Sequence, residues 1–132
     1  MKTQTTLFLI LFGLVFWLLG TLFYRVRGPM VFESTNLRYW INFALTPIVS
    51  TAVCILLLKM LRLPAHQWPG AALLIALPDM FGEALILSSF TTFMPRMSIG
   101  SGGRYGALLF ASYALFLTIC EFIGFSAGTA AP

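Results

Sequence analysis

Asp79 and Glu83 stand four residues apart in the run Pro78-Asp79-Met80-Phe81-Gly82-Glu83. At that spacing two side chains share one face of a helix. Counted at ~1.5 Å per residue from Gly70, they fall about 13 and 20 Å along the axis. That is close to the middle of a hydrocarbon core about 30 Å thick. An ionisable group at this depth costs about 2.5–3.5 kcal/mol on insertion scales, so it normally faces a bundle interior and carries function. Two carboxylates close together at low dielectric cannot both stay ionised cheaply, and the pair would bind a proton or trade it for a cation. That is the chemistry of a proton-coupled carrier. A structural role stands beside it, with both acids hydrogen-bonded to neighbouring helices as interhelical glue. Pro78 removes a backbone donor and frees the carbonyl of Leu74, and Gly82 lets another helix approach.

Other polar residues extend the candidate site. Ala107, Ala111, Ala114, Thr118 and Glu121 recur at steps of four, three, four and three, one helix face of small residues. That stripe predicts close packing with Glu121 pointing inward, about 6 Å deep near the second loop. Two readings of Glu121 stay open. It extends a proton path from His66 through Asp79 to Glu83, or it sits at headgroup level paired with Lys59 or Arg62. Asn42, Thr46, Ser50 and Cys54 form a polar stripe at spacing four that could face the two acids or bond to neighbouring helices. Cys54 and Cys120 fall at similar depth, so a disulfide is geometrically open, though buried free thiols are the ordinary outcome. Gly13 and Gly20, seven apart, read as a close helix contact. The thirteen phenylalanines read as lipid-facing or core bulk rather than a ligand box.

These side chains need helices to hold them, and the composition supplies helices of one kind. Of 132 residues, 59% are apolar and 9% charged, with mean hydropathy +0.92. A soluble domain of this size buries only about 68–70% of the surface its unfolded chain exposes, so it could not hide this much apolar side chain. Soluble enzymes, disordered chains and disulfide scaffolds are excluded. Four spans are predicted, over about 5–24, 39–61, 70–93 and 105–125, forming one transmembrane domain over 1–132. The expected fold is an all-α, compact antiparallel bundle of four transmembrane helices. The runs are too long and too continuously apolar for the alternating strands of a membrane barrel. Pro47 and Pro78 are expected to kink the second and third helices.

Gly28-Pro29 signals a turn in the first loop, where Glu33-Ser34-Thr35-Asn36 is suited to cap a helix. Gly100-Ser101-Gly102-Gly103 reads as the most flexible stretch. Arg25, Arg27, Arg38, Arg96 and Arg104 lie on one side of the membrane, against Lys2, Lys59 and Arg62 on the other. The positive-inside rule therefore puts the first and third loops in the cytoplasm. The net charge of +4 comes from residues scattered at span ends, with no basic patch for nucleic acid.

The chain resembles a group of small bacterial four-span membrane proteins of unknown function. The resemblance rests on Phe16-Trp17 with Gly20, Trp40, Leu77-Pro78-Asp79, Met94-Pro95-Arg96-Met97 and Tyr105-Gly106-Ala107-Leu108-Leu109. It implies the architecture only; the expected location is the bacterial inner membrane. The small multidrug-resistance carriers share the size and span number but are recognised by a glutamate in the first span, which this chain lacks. No nucleotide-binding, zinc-protease or serine-hydrolase motif is present, and two or three scattered carboxylates make a poor metal site. No cofactor or metal is expected, and an enzyme is the less favoured class. The leading reading is a proton- or cation-coupled carrier using Asp79 and Glu83, with Glu121, Asn42 and Thr46 nearby and a homodimer supplying a second half. One alternative is a protein binding or acting on a lipid or isoprenoid with the same acids in its cavity. The other is an accessory membrane subunit.

Overall fold

The computed structural model describes the backbone of residues 1–130 and side chains as far as 127. Every regular element in it is helical. α1 is Thr3–Gly28, α2 Asn36–Met60, α3 Trp68–Ser88, α4 the single turn Phe90–Phe93, and α5 Gly102–Ala130. Four stretches are long and apolar enough to cross a membrane: Thr3–Glu33, Asn36–Met60, Ala65–Ser88 and Ile99–Ala127. The protein is therefore an all-helical membrane protein with four candidate spans.

The helix ends follow local chemistry. Thr35 caps α2, its hydroxyl accepting from the Arg38 amide at 3.1 Å. Pro69 sits in the first turn of α3, where a missing amide proton costs nothing. The turn after α2 puts Arg62 at φ 55°, a left-handed conformation uncommon outside glycine. Pro47 and Pro78 both lie inside helices that continue across them.

Three stretches depart from the sequence reading. The predicted turn at Gly28-Pro29 is helical, because α1 runs on into a π-helical turn, Pro29–Glu33. Widening to i→i+5 accommodates the proline ring and its lost donor, and only Ser34 and Thr35 separate this turn from α2. The predicted third span stops at Ser88, since Ser89 leaves helical geometry (φ −136°, ψ 55°) before α4. The run expected to be flexible is also helical: a 3₁₀ turn, Ile99–Ser101, leads straight into α5.

α1 packs on α3, α3 on α5, and α5 on α2, while α1 and α2 make little contact along their length. Tyr105 of α5 meets Glu83, and Tyr113 meets Asp79, so α3 and α5 run in opposite directions. Two glycines set the α1–α3 approach. A Cβ on Gly13 would run into the carbonyl oxygen of Ile75, and one on Gly82 would run into the Trp17 ring. Gly20 has nothing within 4 Å of that position, so the second predicted glycine contact is not made.

Two apolar clusters close the ends of the bundle. One gathers Leu9, Leu58, Trp68, Ala71, Phe116 and Cys120, and the other Tyr24, Phe32, Tyr39, Phe90, Met94 and Tyr105. Ring centroids in the second lie 5.3 to 5.9 Å apart, as in the Tyr24–Phe32 and Phe32–Tyr39 pairs. Arg104 fastens it from outside, 4.5 Å over the Tyr39 ring and donating to the Phe32 carbonyl at 3.2 Å.

The buried face of α5 is not the small-residue stripe. Ala107, Ala114, Thr118 and Glu121 are exposed, and Tyr105, Leu108, Phe116 and Cys120 point inward. Large aromatic and aliphatic side chains bury more contact area than alanines, and the polar partners of α5 lie along that larger face. The sequence pattern identified the period but selected the wrong face.

Candidate functional site

The Asp79 and Glu83 carboxylates each accept one hydrogen bond from a tyrosine of α5. Tyr113 Oη donates to Asp79 Oδ1 at 2.8 Å, and Tyr105 Oη donates to Glu83 Oε2 at 2.8 Å. Glu83 is only 5% exposed and Tyr105 fully buried. A carboxylate has about four acceptor positions and a phenol fills one. Among the described residues no hydrogen bond joins the two acids, and Glu83 Oε1 accepts none.

Both acids line a cavity of about 360 Å³ bounded by all four long helices. That volume lies within the range of small-molecule sites, about 300–1,000 Å³. α1 contributes Phe16, Trp17 and Tyr24, and α2 contributes Thr46, Ser50 and Cys54. Ile75 and Ala76 flank the acids on α3, while Leu109, Ser112, Tyr113 and Phe116 form the α5 wall. Among the described residues no Lys, Arg or His lines it. Leu19 and Phe23, also on the wall, are 64% and 52% exposed. The cavity therefore reaches the outer surface of the bundle on the α1 side, where α1 and α2 are not packed together.

The wall is held by packing and by one polar cluster. The Trp17 ring lies against Gly82, and its buried Nε1 makes no hydrogen bond among the described residues, so packing orients it. Asn42 Nδ2 donates to Tyr24 Oη at 3.2 Å, and Thr46 Oγ1 donates to Asn42 Oδ1 at 3.0 Å. Of the α2 stripe, Asn42 and Thr46 thus serve a link to α1, while Thr46, Ser50 and Cys54 also face the cavity.

Glu121 does not line the cavity; it is exposed on α5, as are Lys59 on α2 and His66 in the turn between α2 and α3. Among the described residues no hydrogen bond connects His66 or Glu121 to the α3 acids. Cys54 and Cys120 are buried free thiols. No three His, Cys, Asp or Glu side chains come together among the described residues in a way that would hold a metal ion.

Sequence reasoning missed the tyrosines. A Tyr in an apolar run must find a partner for its O–H, and that rule applied to Tyr105 and Tyr113 would have pointed to the acids. It also missed Glu33. That carboxylate accepts from the Ser98 amide at 2.9 Å, the Ser98 hydroxyl at 3.2 Å and the Ser101 hydroxyl at 2.9 Å, tying the first loop to the third.

A model for a family of unknown function, DUF5367, matches residues 31–124. The chain belongs to this family. The DUF5367 match takes in α2, α3, both acids and both tyrosines, and it begins after α1. No curated protein and no solved structure matches the chain.

Proposed function

We propose that this DUF5367 protein is a small proton- or cation-coupled carrier in which Asp79 and Glu83 are the exchanging groups. One observation carries the reading: two carboxylates, each with a single tyrosine donor, line a mostly apolar cavity inside a bundle of four candidate spans. Acids placed there cost folding energy, and the absence of a basic side chain from the wall leaves a proton or an incoming cation to neutralise them. Thr46 and Ser50 offer further polar contacts across the cavity. Asn42 acts through its hydrogen bond with Thr46. In this reading the protein sits in a bacterial inner membrane with the arginines of its first and third loops in the cytoplasm. A second copy supplies the other half of the conducting unit.

The exposed wall residues Leu19 and Phe23 support a second reading. The same cavity would hold a lipid or isoprenoid entering from the bilayer, with the acids as its polar contacts.

Proteoliposomes loaded with a pH-sensitive dye test the carrier. An imposed pH gradient is challenged with sodium, potassium and small organic ammonium ions in turn. The wild type is expected to dissipate the gradient with at least one of these cations, and Asp79→Asn with Glu83→Gln to leave it standing. A gradient that none of them collapses, or that the double variant collapses equally well, overturns the proposal.

A further inference from the structure

The cavity wall also carries information about which cation it suits. Its aromatic members come from two sides: Phe16, Trp17, Phe23 and Tyr24 on α1, and Tyr113 and Phe116 on α5. Between them stand Asp79 and Glu83, with an unbonded Oε1 on a Glu83 side chain that is 95% buried. An inorganic ion such as sodium would need several oxygen ligands replacing its water. Here most of the lining is carbon, and among the described residues the acidic groups do not gather with others into a metal-binding cluster. A neutral lipid would satisfy the apolar wall but brings no charge to take the place of a proton on the acids. An anion would be repelled. An organic cation matches both parts, because its charge meets the carboxylates, its hydrocarbon body fills the apolar volume, and aromatic faces attract a cation within about 6 Å. At about 360 Å³ the space suits a body about the size of one substituted ring.

We propose that the cavity between α1, α2, α3 and α5 binds a monovalent organic ammonium ion with an aromatic or branched apolar body, its charge held by Asp79 and Glu83 and its body by Trp17, Tyr113 and Phe116. This assignment rests on the carrier reading for its purpose, but its binding test is independent of transport.

The test compares benzyltrimethylammonium with neopentylbenzene, the same shape with carbon in place of the charged nitrogen, by titration calorimetry on the detergent-solubilised full chain. The ammonium is expected to bind saturably, with the neutral isostere at least about tenfold weaker. Asp79→Asn with Glu83→Gln is expected to weaken the ammonium by at least about tenfold, and Trp17→Leu by about two- to tenfold. Equal binding of the two ligands shows an apolar pocket that ignores charge and overturns the proposal. So does undiminished binding in the double variant, or no binding of the ammonium at all. If the double variant does not fold, the pair of ligands on the wild type decides alone. Ammonium binding without gradient collapse in liposomes removes the carrier and leaves the site. Collapse driven by sodium or potassium without ammonium binding removes this substrate class and leaves the carrier.

Discussion

The Glu83–Tyr105 hydrogen bond joins α3 to α5 at the wall of the cavity, and its strength can be measured with a double-mutant cycle. Tyr105→Phe deletes only the hydroxyl; Glu83→Leu deletes the acceptor while keeping apolar bulk. The O···O separation is 2.8 Å, Tyr105 is fully buried and Glu83 is 5% exposed. Interhelical hydrogen bonds in membrane proteins average about 0.6 kcal/mol in such cycles and reach about 1.7. The short distance and near-complete burial put this pair in the upper part of that range, at about 1.5 kcal/mol, or slightly more than tenfold in the unfolding equilibrium. Each single variant also leaves a buried polar group without its partner, a cost of about 1–3 kcal/mol. The double variant should therefore be more stable than the sum of the singles predicts, by about 1.5 kcal/mol. Steric trapping in bicelles gives the four unfolding free energies. Additivity within about 0.3–0.5 kcal/mol would mean that the two groups do not interact, and the placement of Glu83 beside α5 would be wrong.

Gly13→Ala should destabilise the bundle by about 1–3 kcal/mol, because its methyl meets a backbone carbonyl of Ile75 that cannot step aside. Gly20→Ala, with open space at the same position, should stay within about 0.5 kcal/mol of wild type. Thermal unfolding of the two variants side by side checks this contrast, and equal losses would refute the α1–α3 register. Glu33→Ala removes the acceptor of three bonds from Ser98 and Ser101, so the amides of 98–101 should exchange with deuterium faster than in wild type while those of mid-α3 do not change. Cys120, buried outside the cavity, should react with a maleimide only after denaturation, and the protein should run with identical mobility on reducing and non-reducing gels.

Much of the architecture was legible because bilayer length and hydropathy constrain it strongly. Four apolar runs had to be helices, and the span near Asp79 and Glu83 was placed by residue count alone. The helix ends were harder to place. Gly28-Pro29 usually breaks a helix, yet here a π turn carries the chain past the proline, with the Met97 side chain packed against Gly28. Gly100-Ser101-Gly102-Gly103 is flexible by composition and helical in fact, since Glu33, 68 residues upstream of Ser101, binds it. No local pattern encodes a contact at that separation. The orientation of α5 failed for a different reason. A stripe of small residues and a stripe of large ones both have helical period, and the period does not say which meets protein and which meets lipid. Choosing the small stripe hid Tyr105 and Tyr113, the residues that hold the acids.

In the proposed site a cation entering the cavity takes the place of a proton on Asp79 or Glu83. Proton release measured on adding benzyltrimethylammonium to the unbuffered, detergent-solubilised protein tests it most directly. About one proton should be released per cation bound in the wild type, and none in Asp79→Asn with Glu83→Gln. Binding of the cation with no proton released, or the same release from the double variant, would contradict it.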